Sequence, residues 1–299
     1  MTQIGTQIGT HSVEDVLRDD LAQGDSLIGS LGPILRHLLA NDDHSLFSDE
    51  IVARVRGMLE HLAGQLLHAQ ADAAGLEDRQ NFIAERLPAF IESFLGNPAL
   101  LSHCHALALE WQLTERLQAR NGVDPVLSPL LQALIASSDA ETADLGMMTL
   151  AAQARFVQAQ RRMELPLAEL PGDLFHAALI TMRAQVSEAD DDTAAAAETA
   201  LRARFDEAGS RRGLLAHLVT GMGGGAIAAL AIDHAGAAIF LTALAIGSGQ
   251  DRDLAVLSTN DRQVARLALA LRAAGLKPQA VEAQFLYLHP EISLPERFD

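Results

Sequence analysis

His103-Cys104-His105 places three residues of metal-ligating or nucleophilic type in a row. On a helix, neighbours at one- and two-residue spacing point in different directions, so the three cannot converge on one ion. Cys104 falls on an apolar stripe with Leu100, Leu101 and Leu107 and is expected to pack there. His61 and His68 share a helix face, with Gln65 between them, but no carboxylate stands near in sequence to complete a site. Asp42-Asp43 and Asp190-Asp191-Asp192 fall in predicted turns, where capping and solvation account for them. Arg161-Arg162 and Arg211-Arg212 are candidate contacts for an acidic partner; the same pairs also fit helix C-terminal charge and surface solvation. The chain has no H-E-x-x-H, Walker A, G-x-S-x-G or C-x-x-C motif. No catalytic residue, metal ligand or cofactor is assigned.

One glycine-rich run invites a different reading. Leu218-Val219-Thr220-Gly221-Met222-Gly223-Gly224-Gly225-Ala226 resembles the glycine-rich turn of short-chain dehydrogenases. In that family the backbone N–H groups and a helix start cradle a pyrophosphate. The resemblance would make Gly221, Gly223, Gly224 and Gly225 cofactor-binding. Against it, the run comes late, Arg211 to Val219 fits a helix as well as a strand, and the Tyr-x-x-x-Lys pair of that family is absent. The glycines then serve to break a helix or to permit close packing.

The composition narrows the function classes. The chain has 299 residues and a formal net charge of −17, and Lys277 is its only lysine. Binding a phosphate backbone requires basic groups to displace counterions, so a broad nucleic-acid surface is not expected. Hydrophobic residues make up 49% and aromatics 4%, enough for a core packed through many thin contacts. A sole cysteine excludes an intrachain disulfide and suits a reducing cytosol. The N-terminus lacks a basic start and an apolar stretch, so no secretory signal is read and a cytoplasmic location is expected. Ala226 to Ile246 nearly reaches membrane-spanning length, but Asp233-His234 would be costly at mid-bilayer. Two short buried helices with a turn near Gly236 are expected there, with membrane association as an alternative.

The elements that must position these residues are helices. Leu27, Ile28, Leu31, Ile34 and Leu35 lie on one stripe, and Ile51 to Leu66 carries another. Phe82 to Phe94 follows, with Pro88 expected to kink or divide it. Asn97-Pro98 and Asp124-Pro125 both read as a cap followed by proline at the first helical position. No alternating strand pattern stands out. The expected organisation is a tail over 1–11, helical regions over 12–186 and 193–299, and an acidic break at 187–192.

A phrase repeats along the chain. Ala133-Leu-Ile-Ala-Ser-Ser-Asp139 and Ala255-Val-Leu-Ser-Thr-Asn-Asp261 each close a helix, turn, and open another with Asp as the expected cap; Leu38 to Asp43 copies the ending. Ala143 with Gly146, and Ala265 with Ala268, are small enough to let a neighbouring helix approach. The pattern resembles HEAT-like helical repeats, in which antiparallel helix pairs stack into a solenoid. The copies are unevenly spaced, so the fold expected is all-α, either a degenerate HEAT-like stack or an irregular helical bundle. Architecture and missing catalytic motifs point to a non-catalytic scaffold or regulator that binds a protein partner, with a homo-oligomer compatible. A nucleotide-binding protein using Gly221 to Gly225 is the competing class.

Overall fold

The computed structural model describes residues 13–40, 49–185 and 191–290. The helices are α1 (Val13–Ala40), α2 (Asp49–Ala73), α3 (Arg79–Leu95), α4 (Pro98–Asn121), α5 (Pro129–Ile135), α6 (Ala140–Arg161), α7 (Gly172–Ala184), α8 (Asp191–Arg204), α9 (Arg211–Gly221), α10 (Ile232–Ser248), α11 (Arg252–Leu257), α12 (Val264–Ala273) and α13 (Pro278–Leu288). Short 3-10 segments occur at Leu167–Glu169, Gly223–Leu230 and Asp261–Gln263. The described residues contain no strand, so the fold is all-α.

Several helix ends follow from local chemistry. Asn97 accepts from the N–H groups of Ala99 and Leu100 and opens α4, with Pro98 in the first turn. Asp139 opens α6 by accepting from the N–H and hydroxyl of Thr142. The small residue expected after that cap is used: a Cβ at Gly146 would lie 2.9 Å from Ile135 Cγ1, so α5 comes right against α6 there.

Other ends depart from expectation. Asp124 accepts from the N–H groups of Val126 and Leu127, which makes a turn; α5 begins later, capped by Ser128. Asp261 does not cap a helix. Asn260 accepts from the Arg262 N–H at a 3-10 segment, and Asp261 pairs with His289 at 2.9 Å. Pro88 does not divide α3, which runs on to Leu95. The third copy of the phrase, at Asn41 to Asp43, and the tail over 1–11 lie outside the described residues.

Packing places α4 between two cores. Leu100, Leu101, Cys104, Leu107 and Trp111 join a cluster with α2, α3 and α7. Ala106, Leu113 and Leu117 join another, built around α10, α12 and α13. Helix α10 is apolar and buried along most of its length, as expected of a helix enclosed by others. It breaks where expected, at Gly236 (φ 72°, ψ 162°), a conformation that favours glycine. No single helix among the described residues is long and apolar enough to cross a membrane.

Elements remote in sequence also pack together. Helix α1 lies against α4 and α12, and α4 lies against α11 and α13. A linear stack of repeats joins each unit only to its neighbours. The arrangement here is the irregular-bundle form of the expected fold. Residues 187–190 of the acidic break lie outside the described residues, and Asp191 and Asp192 stand in the first turn of α8 rather than in the expected turn, where their charges suit the helix N-terminus. Helix α8, which starts at Asp191, packs on α2 and α7 and buries Ala197 in the first core.

Candidate functional site

The strongest concentration of chemical groups is in the interior. Glu110 lies on α4, three residues from Leu107 and on the inward side, only 1% exposed. Two guanidinium groups meet it. Arg252, at the start of α11, donates from Nη1 to Oε2 and from Nη2 to Oε1, both at 2.8 Å. Arg211, at the start of α9, donates from Nη2 to both carboxylate oxygens at 2.8 and 2.9 Å. The remaining donors are also placed. Arg252 Nε donates to the Thr242 hydroxyl on α10, and Arg211 Nη1 donates to Gln153 Oε1 on α6. The Arg211 guanidinium lies 3.5 Å from the centre of the Phe156 ring. Five helices are thus tied to one carboxylate.

A second cluster adjoins it. His103 Nδ1 lies 2.6 Å from Asp253 Oδ2, and Arg212 Nη1 donates to Asp253 Oδ1 at 2.8 Å. The Arg211 N–H donates to Glu169 at 3.0 Å.

These surroundings hold Glu110 and Asp253 charged, whereas burial raises Glu169 and Arg211 only partly offsets it. Burial works against ionisation of Glu110, but Arg211 and Arg252 outweigh it and hold the carboxyl at about 2. Burial likewise opposes ionisation of Asp253, and His103, Arg212 and Arg252 hold its carboxyl below the usual value. Both are ionised near neutrality, so neither is a proton donor there. Burial, with the Asp253 charge added, pushes the Cys104 thiol up. A nucleophilic cysteine needs the opposite shift, so the His103-Cys104-Asp253 neighbourhood does not form an activated thiol. Burial lowers His105 to about 4. Among the described residues, no group of three His, Cys, Asp or Glu could hold a metal ion.

The residues singled out in the sequence are dispersed. Arg161 and Arg162 are exposed at the end of α6, and Arg162 pairs with Glu164. Arg212 is half-buried on Asp253. Arg211 is 1% exposed and saturated by Glu110, so it offers no contact to a partner. Two arginines adjacent in sequence thus enter different clusters. Gly221 ends helix α9 and Gly223 to Gly225 begin a 3-10 segment, so no strand precedes the glycine run. A Cβ at Gly221, Gly223, Gly224 or Gly225 would meet nothing within 4 Å, so close packing does not explain them either. Only Gly223, at φ 52°, uses the left-handed conformation.

The sequence reading missed Glu110, Arg252 and Asp253. The available signal was the i+3 spacing of Glu110 from Leu107, which puts a charge on an otherwise apolar face.

The surface offers a different kind of site. Between α6, α9 and the 204–210 connection lies a hollow of about 610 Å³. Leu145, Met148 and Leu214 form its apolar part, and Glu141, Asp144 and Asp206 stand around them. Met148 is 53% exposed and the neighbouring Met147 is 52% exposed. A second hollow, about 370 Å³, shares Asp206 and Gly209 with the first and reaches Phe156 and Gln160 on α6. No family model matches this chain, and neither a curated protein nor a solved structure matches it.

Proposed function

We propose that this chain is a non-catalytic interaction protein that holds a partner protein in the groove between α6 and α9. The observation that supports this reading most directly is the half-exposed apolar surface at Met148 in a hollow of about 610 Å³. Exposed apolar patches in concave sites favour association, and methionine adapts its shape to what it meets. The interior is compatible with the same reading, because Glu110 and Asp253 are held ionised beside arginine and the Cys104 thiol is held protonated. A photo-crosslinking side chain at Met147, beside the groove, tests it in cells that make the protein. Reproducible adducts with one protein, absent from the same probe at Val13, are expected. Equal adduct patterns from both positions would remove the reading.

A further inference from the structure

We infer that the hollow between α2, α3 and α8 binds a small uncharged molecule with an apolar, ring-sized body and an amide-type edge, and that Gln70 pairs with that edge. This inference goes beyond the interaction reading and does not rest on it. The hollow measures about 470 Å³, a volume usual for small-molecule sites. Phe82 and Phe90 on α3, Leu76 just beyond α2 and Ala194 on α8 make its walls largely apolar. The Arg86 guanidinium lies 4.0 Å from the centre of the Phe82 ring and covers one of its faces. Glu85 and Arg86 are the charged residues of the lining, one of each sign. The lining therefore carries no net charge, which suits an uncharged occupant.

Gln70 is the polar group of this hollow that the fold leaves unused. It is 6% exposed, and its side chain makes no hydrogen bond with a described residue. The other buried glutamines among the described residues are all engaged. Gln153 donates to the Pro125 carbonyl, Gln160 to that of Glu164 and Gln263 to that of Gly24, while Gln284 accepts from the Ile232 N–H. Burying an unpaired carboxamide carries a desolvation cost that folding alone does not offset. Gln160 Oε1 also lacks a partner but is sealed from solvent; the Gln70 amide is not sealed, and the opening it lines is this hollow. Gln70 and Ala74, four residues apart, line it together, so this face of α2 turns into it. A carboxamide presents a donor and an acceptor side by side. A lactam or primary amide presents the same pair in reverse, so two hydrogen bonds close together. A ligand that lacks either member displaces solvent from Gln70 without replacing its hydrogen bonds.

The test uses the full chain and isoindolinone, a flat bicyclic lactam, with binding followed by shifts in the protein NMR spectrum. Saturable binding at about millimolar affinity is expected for a molecule of this size. N-methylisoindolinone, which lacks the N–H, should bind about fivefold or more weakly. Gln70→Leu should weaken isoindolinone about tenfold and leave the binding of indane, the hydrocarbon of similar shape, undiminished. The same variant should unfold at an equal or higher urea concentration, because it removes an unpaired buried amide. A glutamine that served only the fold would lose stability on this change. Ala89→Trp, at an exposed position of the lining, should block both molecules. Circular dichroism of each variant establishes that it is folded. The inference would be overturned by no saturable binding to the wild type, by equal binding of the N-methyl form, or by undiminished isoindolinone binding in either variant. A lower urea midpoint for Gln70→Leu would overturn it as well. Crosslinking at Met147 is independent of all these outcomes, so the interaction reading stands or falls separately.

Discussion

Glu110 and Arg252 meet through two parallel hydrogen bonds of 2.8 Å, although 142 positions separate them in the chain. The planar guanidinium matches the carboxylate edge to edge, which a lysine cannot do. Arg211 fills the remaining acceptor positions of the same carboxylate. The group specifies how five helices are placed and does not by itself guarantee net stability, because desolvating three charges offsets much of their attraction.

Removing the central charge should therefore cost more than altering one partner. Glu110→Gln leaves two guanidinium groups buried without a counter-charge and should destabilise by about 3–5 kcal/mol. Arg252→Lys keeps the charge but loses the paired geometry and the Thr242 contact, and should cost about 1–3 kcal/mol. Urea denaturation at neutral pH measures both. Equal losses would show that geometry, rather than charge balance, dominates the site.

Acid should weaken the fold in two adjoining windows. His105 is lowered from 6.5 to about 4, so above pH 6.5 it is neutral in both states and contributes no pH dependence. Below that value the unfolded chain takes up a proton that the buried ring refuses, and stability falls until the pH reaches about 4. Glu110 is lowered from 4.5 to about 2. Its stabilisation is complete above 4.5 and is lost as pH falls toward 2. Each window contributes a slope of at most ~1.4 kcal/mol per pH unit. Urea midpoints between pH 7 and pH 4 should decline for the wild type and decline less for His105→Gln. Parallel curves would show that His105 is not the group responsible.

Glycines of similar appearance should respond oppositely to alanine. At Gly213 a new Cβ would lie 2.3 Å from the Glu207 carbonyl oxygen and 2.6 Å from that of Ala208. The loop before α9 would have to move, at a cost of about 1–3 kcal/mol. At Gly224 the same methyl meets open space and the backbone is not left-handed. Gly224→Ala should change stability by less than about 0.5 kcal/mol, or raise it slightly by restricting the unfolded chain. Thermal unfolding of the two variants provides the comparison.

The two full copies of the repeated phrase should also separate by mutation. Asp139→Ala removes the acceptor for the Thr142 N–H and should lower the urea midpoint. Asp261→Asn should leave the helix start intact, because Asn260 holds the preceding turn. Its effect should appear at His289. Burial lowers that histidine and Asp261 partly offsets the shift, so its titration, followed by NMR, should move to lower pH in the variant. An unchanged His289 titration would mean that the contact contributes nothing.

Local signals carried much of the architecture. The caps at Asn97 and Asp139, the turn at Gly236, the close approach at Gly146 and the buried position of Cys104 each depend on a few adjacent residues. Asp124 and Asp261 share the residue type of the true caps but end up in turns or pairs set by neighbouring segments. The buried cluster was less legible. Nothing near Arg211 and Arg212 distinguishes the interior member from the half-buried one; the distinction comes from Glu110, 101 positions away from Arg211. The groove was missed for a similar reason, since Glu141, Met148 and Asp206 come together only after α6 and α9 have packed.

The long span between Glu110 and its arginines bears on synthesis. At about 5–20 residues per second, translation would take roughly 7–30 s to pass from Glu110 to Arg252. Until Arg211 emerges, 101 residues on, the α4 carboxylate has neither counter-charge, and until Arg252 emerges it has only one of the two. Its hydration opposes premature closure of the apolar face around it. The second core, which needs α10, α12 and α13, can therefore seal only when the last third of the chain has emerged. A ribosome-bound chain halted before Arg252 should remain open to protease on the Glu110 side of α4.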